Sequence, residues 1–286
     1  MKKTQKQNTG SDILRRILHN KTAMISGIII LIIIALAVLA PILSDYDETS
    51  QDLLKRLMPP GNGHIFGTDE LGRDVFTRIF YGTRVSLMIA LIPTALAVIL
   101  GAVAGICAAQ FRGAADFIIM RIADVMLAIP GMLLAMVVLY TLGGSLASVI
   151  ISLVLVEWGG IAVVVRTATL EIRECEFIEA AVSTGAGRLR VIIRHILPNL
   201  VPTLIVLFTL NIPSSILSES ALSFLGIGIQ PPQVSLGLMV GVSRQYLFQS
   251  PHLALAPACM IMILVLSFNF LGDALRDILD PDRRTL

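Results

Sequence analysis

Met24-Ile-Ser-Gly-Ile-Ile-Ile-Leu-Ile-Ile-Ile-Ala-Leu-Ala-Val-Leu-Ala-Pro-Ile-Leu43 is a run of 20 residues without a charged side chain. A helix of that length reaches about 30 Å, the thickness of a bilayer's hydrocarbon core. The apolar core of a cleaved leader is shorter, roughly 7–15 residues. The run therefore reads as a retained first transmembrane helix, 24–43. It follows a polar segment, 1–23, that carries Lys2, Lys3, Lys6, Arg15, Arg16 and Lys21. A helix satisfies its backbone hydrogen bonds internally, which lipid demands. The strict alternation of membrane barrel strands is absent.

The rest of the 286 residues agrees. The chain is 55% hydrophobic and only 15% charged, with a mean hydropathy of +0.83; soluble domains carry roughly 25% charge. A second span lies within Val85–Phe111. A third and fourth fill Phe117–Val165, with Thr141-Leu-Gly-Gly-Ser145 as the turn between them. A fifth runs from about Leu200 to Ser218 and a sixth from about Leu253 to Leu271. The expected class is an all-α integral membrane protein with about six spans. Ser220–Ser243 is uncharged and long enough to cross, but the adjacent Pro231 and Pro232 remove two backbone donors. It reads as external, in part re-entrant.

The basic residues fix the expected orientation. With six spans, 16 of the 22 Lys and Arg fall in segments on the side of the N-terminus and six on the other. Both termini are then cytoplasmic. The organisation becomes a cytoplasmic segment 1–23, a first helix 24–43, an external segment 44–84, a five-helix core 85–272 and a cytoplasmic tail 273–286. The core contains a cytoplasmic loop, 166–199, and an external loop, 219–251. A net charge of +2 gives no reason to expect nucleic acid. Membrane lipid is the obligatory surrounding. Cys107, Cys175 and Cys259 are widely spaced and read as unpaired thiols.

The cytoplasmic loop is the most informative stretch. Glu171 to Val182 is helix-prone, rich in Glu, Ala and Ile. Gly185 and Gly187 break it, and Gly185 stands where positive φ is needed. A second short helix starts at Arg188 and ends at Pro198. Leu189, Ile192, Ile193 and Ile196 give it one apolar face, opposite Arg188, Arg190 and Arg194. On residues alone the hairpin either docks in a partner's groove or rests on the inner membrane surface.

Glu179-Ala180-Ala181, then Gly185, then Leu197-Pro198 resembles the "EAA" signature of ABC-importer permeases. The apolar residue usual ten positions after the glycine is replaced by His195. The form Arg194-His-Ile-Leu-Pro-Asn199 is similar to the peptide/nickel branch. Phe66-Gly-Thr-Asp-Glu-Leu-Gly-Arg-Asp-Val-Phe-Thr-Arg-Ile-Phe-Tyr-Gly-Thr-Arg-Val-Ser-Leu87 resembles the external entry to the second helix in C-type permeases of that branch. So do Met120-Arg-Ile-Ala-Asp124 with Leu127-Ala-Ile-Pro130, Ala221-Leu-Ser-Phe-Leu-Gly226 with Gln230-Pro-Pro232, and Phe268-Asn-Phe-Leu-Gly-Asp-Ala-Leu-Arg-Asp-Ile-Leu-Asp-Pro281. The likeness covers roughly 64–282. Ser235-Leu236-Gly237 departs from the family's usual Ser-Trp-Gly.

The resemblance implies a type I importer permease fold and no catalytic residue on this chain. The loop residues Glu179, Ala180, Ala181, Gly185, Arg188, His195, Leu197 and Pro198 would couple to an ATPase. Expected partners are a homologous B-type permease, two ATP-binding-cassette ATPases that carry ATP and Mg, and an extracytoplasmic substrate-binding protein. The expected location is the bacterial cytoplasmic (inner) membrane. Di- and oligopeptides are the expected cargo, with nickel or a metal chelate as the alternative.

Asp124 and Glu157 are candidate pathway residues, because a carboxylate in lipid is costly. Asp124 is three residues from Arg121, which suggests a local ion pair. Glu157 falls near mid-membrane and should face the protein interior or the pore. Glu219 ends the fifth span and reads as solvated or interfacial. Pro93, Pro130, Pro213 and Pro257 interrupt helices. His64 and His252 flank spans externally, and no metal site is expected from them. G-x-x-x-x-G-K-[ST], HExxH and GxSxG do not occur, so no nucleotide hydrolysis is expected here. A secondary transporter would need inverted repeats and a midplane ion site, for which Glu157 is the one candidate. A membrane enzyme would need a catalytic cluster.

Overall fold

The computed structural model describes residues 10–44, 46–61 and 63–279, and its regular elements are helical. Helix α1 (Gly10–His19) precedes α2 (Lys21–Val38), with the short α3 (Ala40–Leu43) after it. Then come α4 (Val75–Phe111), α5 (Gly113–Ala128), α6 (Gly131–Leu142), α7 (Leu146–Arg173) and α8 (Glu176–Ser183). Helix α9 (Arg188–Val191) passes through a π-helical turn, Ile192–Ile196, into α10 (Leu197–Phe224). Helices α11 (Leu236–Ser243) and α12 (His252–Leu279) complete the chain. The basic residues Lys2, Lys3, Lys6, Arg283 and Arg284 lie outside the described residues.

Among the described residues, five stretches are each long and apolar enough to cross a membrane: Lys21–Val38, Val75–Phe111, Leu146–Arg173, Arg188–Phe224 and His252–Leu279. The pair α5 and α6 supplies a sixth when counted as one span, bent by 91°. The bend falls at Ile129–Pro130. Ile129 is extended, at φ −87° and ψ 128°, as a residue before proline prefers.

Several boundaries differ from the sequence reading. Helix α4 starts at Val75 rather than near Val85, because the Asp74 carboxylate accepts from Thr77 N (2.8 Å) and Thr77 Oγ1 (2.7 Å) and caps the helix there. The separate segment before this helix thus stops at Asp74. Helix α12 continues to Leu279, past the expected limit at 272. Pro198 does not end the second loop helix. The π-turn sends Leu197 N to Ile192 O, so the chain enters α10 without a break.

Helix α4 lies along α7 through glycine. A Cβ at Gly101 would stand 2.7 Å from Ile161 Cγ2, and one at Gly105 2.6 Å from Ala162 O. The spacing Gly101-Ala-Val-Ala-Gly105 is the small-xxx-small pattern that lets membrane helices approach. One buried cluster centres on this contact, with Ala97, Val98, Ala162 and Val165. A second joins Ile30, Ile79, Leu87, Ile212, Ile216, Leu264 and Phe268 of α2, α4, α10 and α12.

Candidate functional site: a projecting helical loop

The loop between α7 and α10 is held at its base by two arginines of α7. Arg166 grips Asp116 in the first turn of α5 through two bonds of 2.6 Å. Arg173 donates to Ala109 O, and to Gln110 O at 3.4 Å, the free carbonyls at the end of α4. Beyond Arg173 the chain breaks at Cys175 and α8 begins.

Helix α8 closes with a Schellman motif. Gly185 N bonds Val182 O (2.9 Å) and Ala186 N bonds Ala181 O (3.0 Å). Gly185 has φ +85°, and a Cβ there would meet nothing within 4 Å. The glycine is therefore required by backbone conformation and not by crowding.

Ile178, Val191 and Ile196 are 4%, 2% and 0% exposed and join the α4–α7 cluster. The expected apolar face of the second helix is corrected here. Leu189 and Ile193 are 68% and 57% exposed, whereas Val191 and Ile196 turn inward. The buried pair is five residues apart because the π-turn advances the register beyond the 3.6-residue period. The outer surface thus presents Phe177, Val182, Leu189 and Ile193 beside Glu179, Ala180 and Arg188, all exposed. Gly185, Leu197 and Pro198 are exposed as well; Ala181 and His195 are half-buried, with the His195 ring 6.5 Å from Phe177. An exposed apolar group of this kind, rimmed by charge, is what a partner surface looks like.

The two pathway candidates lie elsewhere. Asp124 pairs with Arg121 at 3.2 Å on the exposed side of α5. Glu157 sits where three helices meet: Ser215 Oγ of α10 donates to its Oε1 at 2.5 Å, and Thr94 Oγ1 of α4 is 2.7 Å from Ser215 Oγ. Its Oε2 is buried without a hydrogen-bond partner among the described residues. Pro93 and Pro213 stand beside these hydroxyls, so the polar bridge lies at the level of two helix-interior prolines.

Glu219 is not solvated. It is 1% exposed, and its Oε1 accepts from Ser223 Oγ and Ser235 Oγ, each at 2.7 Å. Ser235 Oγ also accepts from Leu238 N (3.1 Å) at the start of α11, and Ser223 Oγ from Ile229 N (3.2 Å). The segment read as an external loop is folded back over the end of α10, with Ile229, Val234 and Leu236 buried. Neither Ser215 nor the serines around Glu219 stand out in sequence. Only three-dimensional contact selects them from the chain's other hydroxyls.

At this second end of the bundle the Phe66–Leu87 motif also acquires a physical account. His64 Nδ1 meets Asp74 at 2.9 Å, with both side chains buried. Asp69 holds Arg73 (2.7 Å) and Arg78 (3.3 Å). Gly72, at φ +74°, lies so close to Asp52 that a Cβ would overlap its carbonyl. Between this network and Pro231-Pro232 lies an open cavity of about 380 Å³.

Residues 97–285 match the family described as binding-protein-dependent transport system inner membrane component. Residues 8–60 match the N-terminal TM domain of oligopeptide transport permease C. A putative peptide transport system permease protein of Brucella abortus is 42% identical over 267 residues, covering 93% of this chain and 90% of its own. The glutathione transport system permease GsiD of Pectobacterium atrosepticum is 40% identical over 268 residues, covering 93% and 89%. The oligopeptide transport system permease OppC of Bacillus subtilis is 37% identical over 273 residues, covering 96% and 90%. In fold, the chain is similar to one of the MetNI methionine ABC transporter, with a TM-score of 0.59 at 19% identity, over 71% of this chain and 97% of that one.

Proposed function

The chain belongs to the family of binding-protein-dependent transport system inner membrane components, and from that premise we propose that it forms one half of the membrane pathway of an ATP-driven importer of di- and oligopeptides. The loop α8–α9 is the coupling element. Glu179, Ala180, Ala181, Gly185 and Arg188 meet an ATPase subunit, while His195, Leu197 and Pro198 carry the movement into α10. The observation behind this reading is the exposed apolar and charged surface of that loop, closed by Gly185 and anchored to α4 and α7 through Ile178, Val191 and Ile196.

In this reading the chain has no catalytic residue, and ATP and Mg belong to two ATPase subunits. A second, homologous but different permease supplies the other half of the pathway and the second coupling loop. An extracytoplasmic binding protein delivers the cargo to the opposite end. The peptide, oligopeptide and glutathione names of the relatives favour peptides over nickel. The distribution of Lys and Arg supports cytoplasmic termini. An impermeant thiol reagent added to intact cells should then label a cysteine at Gln51 or Gln233 and spare one at Arg173; labelling at Arg173 would reverse the orientation.

Asp124 is assigned a local structural role through Arg121. Glu157 is assigned to the bridge between helices in this conformation, because both its oxygens are turned inward.

The test of coupling is Gly185→Val and Ala181→Arg in proteoliposomes at matched protein levels. A side chain at positive φ costs about 1–2 kcal/mol locally, and a β-branched one more, so Gly185→Val should insert normally yet reorient α8. Both variants should lose peptide uptake and the binding protein's stimulation of ATP hydrolysis. Normal stimulation in both would remove the loop from the mechanism.

A further inference from the structure

Helix α1 is not used by the function proposed above. It is separated from α2 by a single residue, Asn20, in an extended conformation at φ −85° and ψ 109°. Asn20 closes both sides of the break: its N–H reaches Arg16 O and Ile17 O at 3.1 and 3.2 Å, and its Oδ1 accepts from Ala23 N at 3.1 Å. The last turn of α1 therefore stands within one residue of the first membrane span and does not continue it. The helix contacts α2 and α12.

Its composition is amphipathic. Apolar residues recur in the sequence at 13, 14, 17 and 18, and basic ones at 15, 16 and 19. Arg15, Arg16, His19 and the adjoining Lys21 are exposed, and Leu18 is 56% exposed on the same helix. From residue 1 to 21 there are six Lys and Arg against one acid, Asp12. An exposed leucine among arginines is unfavourable in water. At a bilayer surface the leucine enters the acyl boundary while the guanidinium groups meet lipid phosphates. A basic cluster next to a span is attracted by anionic headgroups and not by neutral ones.

We propose that α1 lies in the membrane interface and that Arg15, Arg16 and Lys21 form a binding surface for anionic phospholipid headgroups. The occupant is the leaflet itself rather than a soluble partner, because Asn20 ties the helix to the point where α2 enters the bilayer. Which leaflet is occupied rests on the reading that the N-terminus is cytoplasmic; the lipid contact does not.

The test uses the full-length chain in proteoliposomes, with Cys107, Cys175 and Cys259 replaced by serine and a fluorophore on Leu18→Cys. The vesicles contain acyl-brominated phosphatidylglycerol or acyl-brominated phosphatidylcholine at equal mole fraction. Both lipids should quench the label, and phosphatidylglycerol about five-fold more effectively, the ratio expected for one headgroup–charge contact of about 1 kcal/mol. Arg15→Gln with Arg16→Gln should bring that ratio toward one while quenching by phosphatidylcholine persists. A label that neither lipid quenches places α1 in water or against a protein and overturns the proposal. Equal quenching by the two lipids, unchanged in the double variant, overturns the headgroup site. An impermeant aqueous quencher reports the leaflet separately, so a reversed topology and a missing lipid contact give different results.

Discussion

Gly185 and Gly72, at opposite ends of the helical bundle, are glycines for opposite reasons. At the end that carries α8, Gly185 takes φ +85° with nothing within 4 Å of a would-be Cβ. At the other end Gly72 also takes a positive φ, but the carbonyl of Asp52 occupies the space a side chain would need. There a Cβ at Gly237 would stand 2.5 Å from Ser220 Cα. Gly185 makes a turn in free space, whereas Gly72 and Gly237 let backbones touch; Gly226, at the end of α10, turns at φ +82° in open space as Gly185 does. Gly185 lies on an exposed surface, and Gly72 and Gly237 lie in packing contacts within this molecule.

The sharpest way to break this comparison is Gly72→Ala. Strain at positive φ and overlap with Asp52 together should cost roughly 3 kcal/mol or more, seen as a large fall in the melting temperature of the detergent-solubilised protein. An unchanged melting temperature would mean that the segment before α4 does not pack as described. Glu219→Leu comes next. It leaves Ser223 and Ser235 without their shared acceptor, at about 1–3 kcal/mol for each donor that stays buried. Glu219→Gln keeps an acceptor oxygen and should lose much less; equal losses would show that charge, not acceptance, matters there. The smallest effect belongs to Gly185→Ala, which should lower stability by about 1–2 kcal/mol. A loss as large as that of Gly72→Ala would erase the distinction between the two glycines.

What the sequence reveals follows the same division. Uncharged runs announce the spans, because lipid imposes one rule on every residue inside it. Gly185 could be recognised as a turn from its place after Glu179-Ala180-Ala181. The pairing of α4 with α7 was not drawn from the sequence: Gly101 and Gly105 have the spacing for it, but hydropathy passes over them. Glu219 was misplaced because a hydropathy window sees where a helix leaves its apolar run and not what folds over its end. The same blindness hid the fold of 225–235 onto α10. The π-turn was equally hidden: Leu189, Ile192, Ile193 and Ile196 form a clean 3.6-residue stripe, and only the extra residue in the turn exchanges Ile193 for Val191 on the buried side. Pro130 marked an interruption, but nothing in a proline specifies an angle of 91°.

The unbroken path from Arg188 to Phe224 has a mechanical consequence. Its 37 residues make a rod about 55 Å long at 1.5 Å per residue. The rod joins the α8–α9 loop at one end to Glu219 and its serines near the other, and it is pinned along its length where Ser215 meets Glu157 and Thr94. A joint at Pro198 would let the loop swing alone. With the π-turn in its place, the loop and the helix are continuous, and in the function proposed above a displacement of the loop would be carried along the helix past the hydroxyl bridge. A tilt of about 5° then displaces one end by about 5 Å relative to the other over the length of that rod.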